Sequence, residues 1–451
     1  MKHSSSSIEP RRVLFAQVAQ LALPAIGQQL LHTAVFLVDR AMLGRYSSHA
    51  LASMQISGPV VWSVFSVLSA FAVGSVALVG RAVGAKDERL ASAATRASLG
   101  FAGLCGTGAA VVGLLLIPFV LALFPESGAE AQAEGRAYLE VAWLAMPFGL
   151  LSLTAASVLQ AAGDTKTPFY VSAAGNVLNV VVSYVLVFGA YGFPELGARG
   201  AAIGSAAALG LQAVALLGWL TTGRARLNPQ VRGGERQALR RVLRVAGPAL
   251  AERLVQHLGF MGFVMMVGYL GWRAMAANQA LISLESIAFL SADGLGIAAA
   301  AVVAQRLGAE EPDLAALGAR IATGMGVALL CVVALVFALV PELLLRAFTD
   351  DPSLVALGTP CLLIAAVAQP FMGAAIVSTQ ALRGAGATRL AFLVTLAGAL
   401  FVRLGATYLL AFEFDLGLIG VWLGSTCDWV VRAMILLWFV TRSKRWLERA
   451  V

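Results

Sequence analysis

Asp39 is a carboxylate set in an apolar stretch, Phe36-Leu37-Val38-Asp39-Arg40-Ala41-Met42-Leu43-Gly44. An acid there that faces a cavity can take up a proton and release it, the least that a proton-coupled carrier needs. The other reading is an ion pair with Arg40 or Arg45. Glu252 is a second such acid, in Gly247-Pro248-Ala249-Leu250-Ala251-Glu252-Arg253. It either selects or couples cations, or makes a local bond to Arg253. Asp428 and Arg432 stand four apart, a spacing that puts them side by side on a helix and predicts an intrahelical salt bridge. Arg403, Glu285 and Asp293 complete the ionisable set. Asp293, in Ser291-Ala292-Asp293-Gly294-Leu295-Gly296, needs a partner or a wet cavity, and its glycines predict a bend. Gln28, Gln55, Asn176, Asn179, Ser183, Gln256, Asn278 and Gln279 are polar groups that either line a cavity or bond between helices. Met372 and Asp428 join them as candidate lining. His32 and His257 are read as hydrogen-bonded rather than as proton relays. Cys105, Cys331, Cys361 and Cys427 lie in apolar runs with no metal spacing. No cofactor is expected beyond a coupling ion, a proton or sodium, and no metal site.

These residues must be carried by membrane helices. Of 451 residues 59% are hydrophobic and 12% charged, and the mean hydropathy is +0.83. Apolar runs of about 20 residues, enough to span the hydrocarbon as helix, recur twelve times. They cover 14–38, 52–80, 92–122, 138–160, 168–190 and 198–222, then 245–269, 275–304, 316–346, 355–382, 389–412 and 417–441. The predicted fold class is all-α and integral to the membrane.

The twelve are six written twice. A shift of about 224 positions brings Pro24 onto Pro248, Gln28 onto Glu252, Gly44 onto Gly268 and Gln55 onto Gln279. Leu159-Gln160-Ala161-Ala162-Gly163-Asp164-Thr165-Lys166 falls on Leu382-Arg383-Gly384-Ala385-Gly386-Ala387-Thr388-Arg389, and Gly200–Ser205 on Gly420–Ser425. Six spans per half return the chain to its starting side. The halves are therefore expected as parallel repeats about an axis along the membrane normal, an architecture of secondary transporters. The expected division is 1–222, a linker 223–244, and 245–451.

Lys2, Arg11, Arg12, Lys86, Arg89, Lys166, the Arg224–Arg244 linker, Arg306, Arg389 and the segment from Arg442 fall on one side. Glu126, Glu130, Glu134, Glu195, Asp350, Asp351, Glu413 and Asp415 fall on the other, together with Arg45, Arg136, Arg199, Arg273 and Arg346, and the basic bias still favours the first side. The positive-inside rule then puts both termini in the cytoplasm. The net charge of +8 reports topology and lipid contact, not nucleic-acid binding. Within the linker, Glu235–Leu243 alternates apolar and basic faces and reads as an interfacial helix.

Together these pieces resemble the multidrug and toxic compound extrusion (MATE) family. The matching residues are Leu23-Pro24, Val38-Asp39-Arg40-Ala41-Met42-Leu43-Gly44, Ala50-Leu51-Ala52, Leu159–Pro168 with its echo Ala381–Gly386, and Gly189–Ala202. The resemblance covers essentially the whole chain. It implies two six-helix bundles around a central cleft. It also implies export of amphipathic, often cationic compounds against inward flow of protons or sodium ions, by a monomer in the bacterial inner membrane. The family's first-helix acid falls on Asp39. Relatives of the sodium-coupled branch carry acids where this chain has Gln256 and Met372, and the fifth-helix acid of some relatives falls on Ser183, beside Asn179. A proton-coupled, DinF-like or NorM-like bacterial member is the expectation.

The alternative is a flippase of lipids or lipid-linked oligosaccharides from the same superfamily, kept open by Arg253, Arg403 and Arg432. No converging catalytic groups and no selectivity filter are written in the chain, so neither an enzyme nor a channel is expected.

Overall fold

The computed structural model describes residues 5–122, 129–222, 227, 233–349, 351–443 and 445–447. Glu126, Asp350, the linker residues 223–226 and 228–232 and the side chain of Gln55 lie outside the described residues. Regular structure among the described residues is helical. The first half holds α1 (Ser5–Tyr46), α2 (Ser48–Ser69), α3 (Phe71–Gly84), α4 (Glu88–Ala122), α5 (Ala129–Ala161), α6 (Lys166–Phe188) and α7 (Gly197–Thr221). The second holds α8 (Glu235–Tyr269), α9 (Trp272–Gly308), α10 (Pro312–Leu339), the short α11 (Pro341–Arg346), α12 (Pro352–Gly384), α13 (Thr388–Leu396), α14 (Arg403–Tyr408) and α15 (Gly417–Arg442). Twelve helical stretches among the described residues are long and apolar enough to cross a membrane.

Three expected elements differ in detail. The span at 316–346 stops at Leu339, because Pro341 has no N–H and pushes Val340 out of the helical region, to φ −133 and ψ 45. The bend expected at Asp293 is absent: α9 runs unbroken from Trp272 to Gly308. The glycines Gly294 and Gly296 serve packing instead. A Cβ on Gly294 would meet the Ile26 backbone at 2.7 Å, and one on Gly296 would meet the Gln380 side chain. The span at 389–412 is a helix with two wide π turns, Ala397–Val402 and Leu409–Glu413.

The helices gather into two compact units. One holds the chain up to Ile26 and from Arg244 onward; the other holds Gly27–Leu243. The crossings lie inside α1 and inside α8. In the first unit, Leu14 and Val18 of α1 pack with Ala298 and Val302 of α9 and Met372 and Val377 of α12. In the second, Leu43 and Met54 pack with Val187 and Ala201. The α5 residue Glu134 caps α7, its Oε2 accepting from Ala198 N at 2.8 Å.

The repeat is visible in the backbone. Left-handed φ values occur at Lys86 and Glu310 (57° and 60°), at Gly163 and Gly386, at Tyr191 and Asp415 (60° and 53°), and at Gly197 and Gly417 (51° and 54°). Each pair is matched by the sequence shift. Close packing repeats too: Gly175 lies on Gln212 and Gly398 on Arg432, while Gly204 lies on Ser183 and Gly424 on Thr407. The first π turn explains a change in register. Gly175 and Gly398 are offset by 223, Ser183 and Thr407 by 224; the wide turn between them absorbs the extra residue.

Candidate functional site

In the Gly27–Leu243 unit, α1, α6 and α7 bring one acid among neutral donors. Asn179 Nδ2 donates to Asp39 Oδ2 at 3.5 Å and to Ser205 Oγ at 3.0 Å. Ser205 Oγ donates to the same Asp39 oxygen at 3.4 Å. Ser183, one turn past Asn179 on α6, donates to Asn179 Oδ1 at 3.2 Å and fixes its flip. Asn179 and Ser183 are buried. The two bonds to Asp39 are at the long end of the range. Its other oxygen, Oδ1, is buried and meets no hydrogen-bond donor among the described residues. Among the described residues no cationic side chain pairs with Asp39; the Arg40 guanidinium lies instead over the Phe36 ring, 4.1 Å from its centre. Tyr138 of α5 stands within electrostatic reach of both.

This approach of α6 and α7 depends on Gly204. A Cβ there would collide with Ser183 Oγ and press on the Asn179 carbonyl. Gly204→Ala should cost about 1–3 kcal/mol of packing and displace Asn179 from Asp39. Transport per folded molecule, measured in reconstituted vesicles, should fall several-fold; full transport at normal expression would show that this spacing is slack.

One turn past Pro24, Gln28 forms a neutral node. Its Nε2 donates to Ser172 Oγ at 3.0 Å, and its Oε1 accepts from Gln160 Nε2 at 3.0 Å. The other unit repeats the node with charges. Glu252 is fully buried. Its Oε1 accepts from Thr395 Oγ1 at 2.9 Å and lies 3.0 Å from an Arg383 nitrogen, while its Oε2 accepts from Arg383 Nε at 3.3 Å. The partner of Glu252 is thus Arg383, on a distant helix, as well as any field from Arg253.

The intrahelical bridge expected between Asp428 and Arg432 is present. A third member joins it: Arg403 Nε lies 2.9 Å from Asp428 Oδ2, an ion pair without an aligned hydrogen bond. Arg403 stands over the Phe263 and Trp429 rings, 5.9 and 5.4 Å from their centres, and Arg432 is 5.1 Å from Trp429. Glu285 lies within electrostatic reach of Arg403 and Asp428. By the repeat, Phe263 occupies the place of Asp39 and Arg403 that of Asn179. The second unit's acid–amide contact is therefore a cation over an aromatic ring here.

The remaining polar residues scatter. Asn176 is buried with its Nδ2 unpartnered. Asn278 accepts from Trp422 Nε1 at 3.2 Å. Gln256 is half-buried and Gln279 exposed. Met372 is fully buried in the apolar core around α9 and α12, and Asp428 is enclosed by its arginines. Sequence reasoning missed Ser205, Gln160 with Ser172, and Arg383 with Thr395. The shift that aligns Gln28 with Glu252 also aligns Gln160 with Arg383, a signal that was available.

A family model described as MatE matches residues 24–185 and again 248–409, once per repeat and 224 apart. The chain belongs to this family. It is a MATE transporter, a multi-pass membrane protein and not an enzyme. It is 30% identical over 441 residues to the probable multidrug resistance protein NorM of Thermotoga maritima, covering 96% of this chain and 94% of that one. It is 30% identical to the multidrug resistance protein NorM of Burkholderia vietnamiensis, over 93% of this chain and 92% of that one. Among solved structures, the Vibrio cholerae MATE transporter VcmN in the bent form superposes with a TM-score of 0.89 at 20% identity, covering 97% of this chain and 98% of that one. The MATE fold thus carries the Asp39 site on its first, fifth and sixth spans.

Proposed function

We propose that this MATE transporter is a secondary multidrug antiporter. It exports amphipathic, often cationic compounds from a bacterial cytoplasm by alternating access, as a monomer with both termini inside, and is driven by protons entering through Asp39. The observation that carries the reading is the difference among the acids inside the helices. Glu252 and Asp428 are each held by arginine, whereas among the described residues half-buried Asp39 has amide and hydroxyl donors on one oxygen and none on the other. A carboxylate that keeps no counter-ion can exchange a proton, or a cationic substrate, without stranding a buried charge. The relatives' names as multidrug resistance proteins support the substrate class. Gln256 and Met372, standing where sodium-coupled relatives are acidic, support protons over sodium. Arg403 and Arg432 are engaged by Asp428, which removes the motive for a phosphate-gripping flippase lumen.

The test is dye efflux from vesicles containing the purified protein, with one ion gradient imposed at a time. A proton gradient alone should drive efflux of a cationic dye, and a sodium gradient alone should leave it near the leak rate. The opposite result would reassign the coupling ion. Transport of polyprenyl-phosphate lipid without dye transport would reassign the substrate.

A further inference from the structure

We propose that Glu252 and Arg383 are a positioning pair: a charged clasp that fastens α8 to α12 and α13 just past Pro248, doing with ions what Gln28, Gln160 and Ser172 do with neutral groups. The inference concerns the unit that does not contain Asp39 and stands whether or not Asp39 couples transport.

Four observations lead to it. First, the two nodes have the same wiring. Gln28 bonds Ser172 and Gln160, while Glu252 bonds Thr395 and Arg383, and every partner sits at the repeat position of its counterpart. Second, each node follows a proline by one turn. A proline inside a helix deletes one backbone hydrogen bond and weakens the turn before it. Both Pro24 and Pro248 lie inside long helices, α1 and α8. A side-chain clasp one turn beyond the proline holds the helix against its neighbours next to the turn whose ladder is interrupted.

Third, the charges come as a balanced set. Gln380 Nε2 donates to Asp293 Oδ1 at 2.6 Å, and Arg253 lies within electrostatic reach of Glu252, Arg383 and Asp293. Two acids and two bases therefore share the node, and Arg432, also within electrostatic reach of Glu252, is balanced by its own partner Asp428. At the repeat positions of Glu252, Arg253, Asp293 and Arg383 stand Gln28, Gln29, Ser69 and Gln160. One unit is neutral group by group and the other only in sum, so the charges substitute for one another rather than for an absent ligand.

Fourth, both oxygens of Glu252 are occupied, in contrast to Asp39. Protonating Glu252 would leave the Arg383 guanidinium buried without its counter-charge, a costly state. That removes Glu252 from the role of a proton carrier and gives it the role of an anchor.

The decisive experiment copies the neutral node into the charged one. Glu252→Gln, Arg383→Gln and the pair E252Q/R383Q are purified and reconstituted, and thermal stability, folded yield and the pH profile of dye efflux are measured. Each single variant strands one buried charge, so its folded yield and efflux should fall by about tenfold or more. The double variant should return to within about twofold of the unaltered protein, with the same pH profile. Rescue of a damaged single by a second damaging change is what a clasp predicts and a coupling role does not. The proposal fails if the double is no better than the worse single, including the case where none of the three folds. It fails equally if the singles are as stable and active as the unaltered chain. A well-folded Glu252→Gln with a flattened pH profile that Arg383→Gln does not restore would make Glu252 a coupling acid instead.

Discussion

Asp39→Asn will leave the helices standing and stop ion-driven export. The amide has the shape of the acid, and its carbonyl oxygen can accept from Asn179 and Ser205 as Asp39 Oδ2 does. It carries no proton to exchange. In vesicles with an inward proton gradient, efflux should drop by at least about tenfold, the factor that 1.4 kcal/mol of lost interaction gives. Thermal stability should be unchanged or higher, because a half-buried carboxylate, one of whose oxygens is buried with no donor among the described residues, is replaced by a neutral group. The pH dependence separates coupling from simple damage. Efflux by the unaltered protein should rise as the outside is acidified, because the site is reloaded with protons from that face. Whatever flux remains in Asp39→Asn should be flat across the same range. A variant that keeps the slope at reduced amplitude would place the titrating group elsewhere, with Glu285 the next acid to replace.

Much of this was legible in the sequence because the repeat is strong. The twelve spans and the equivalence of Gln28 and Glu252 follow from apolar run length and a 224-residue shift, while Asp39 stood out as an acid in an apolar run and by its match to the first-helix acid of the resembled family. Partners were less legible, and Glu252 shows why. Charge attraction falls with distance, and the nearest cation in the chain is Arg253; yet helical geometry puts adjacent residues on different faces. Arg383, 131 positions away, reaches the acid because α8 and α12 pack together. The repeat would have revealed it only if every partner of Gln28 had already been known. Arg403 was hidden for another reason. The shift is 223 from Leu382 to Gly398 and 224 at Arg403 and Thr407, and the residue responsible is taken up by a π turn, which leaves no mark in composition. Asp293 misled in the opposite direction. Glycines beside an acid suggest a broken helix, but in lipid the same glycines serve close helix contact, and α9 stays whole.

Asp428→Asn should be far more damaging to the protein than Asp39→Asn, though both remove one negative charge from a membrane-spanning helix. Asp428 holds two guanidinium groups at once, Arg403 and Arg432, and is fully buried. Its loss leaves two cations close together in a low-dielectric region, with Glu285 within electrostatic reach of Arg403 and Glu252, already held by Arg383, within reach of Arg432. Breaking a buried ion pair costs about 3–5 kcal/mol, a large share of the roughly 5–15 kcal/mol that holds a typical domain together. Folded protein in the membrane should fall by about tenfold or more, with a lower melting temperature in detergent for what remains. Gly398→Ala should move in the same direction, since its Cβ would press into Asp428 and Arg432. Cys427→Ser, next in sequence but on an exposed face, should change neither quantity. The other unit shows that the fold itself has no need of charge at this place: the repeat puts Gln212 where Arg432 stands and Ala208 where Asp428 stands, and Gly175 packs on that glutamine. Asp428 is required because the two arginines are present. Replacing all three together by Asn, Ala and Gln at 403, 428 and 432 should therefore recover folded protein that Asp428→Asn loses. If Asp428→Asn folds at the normal yield while cationic dye efflux collapses, the cluster belongs to the transport path and not to the scaffold.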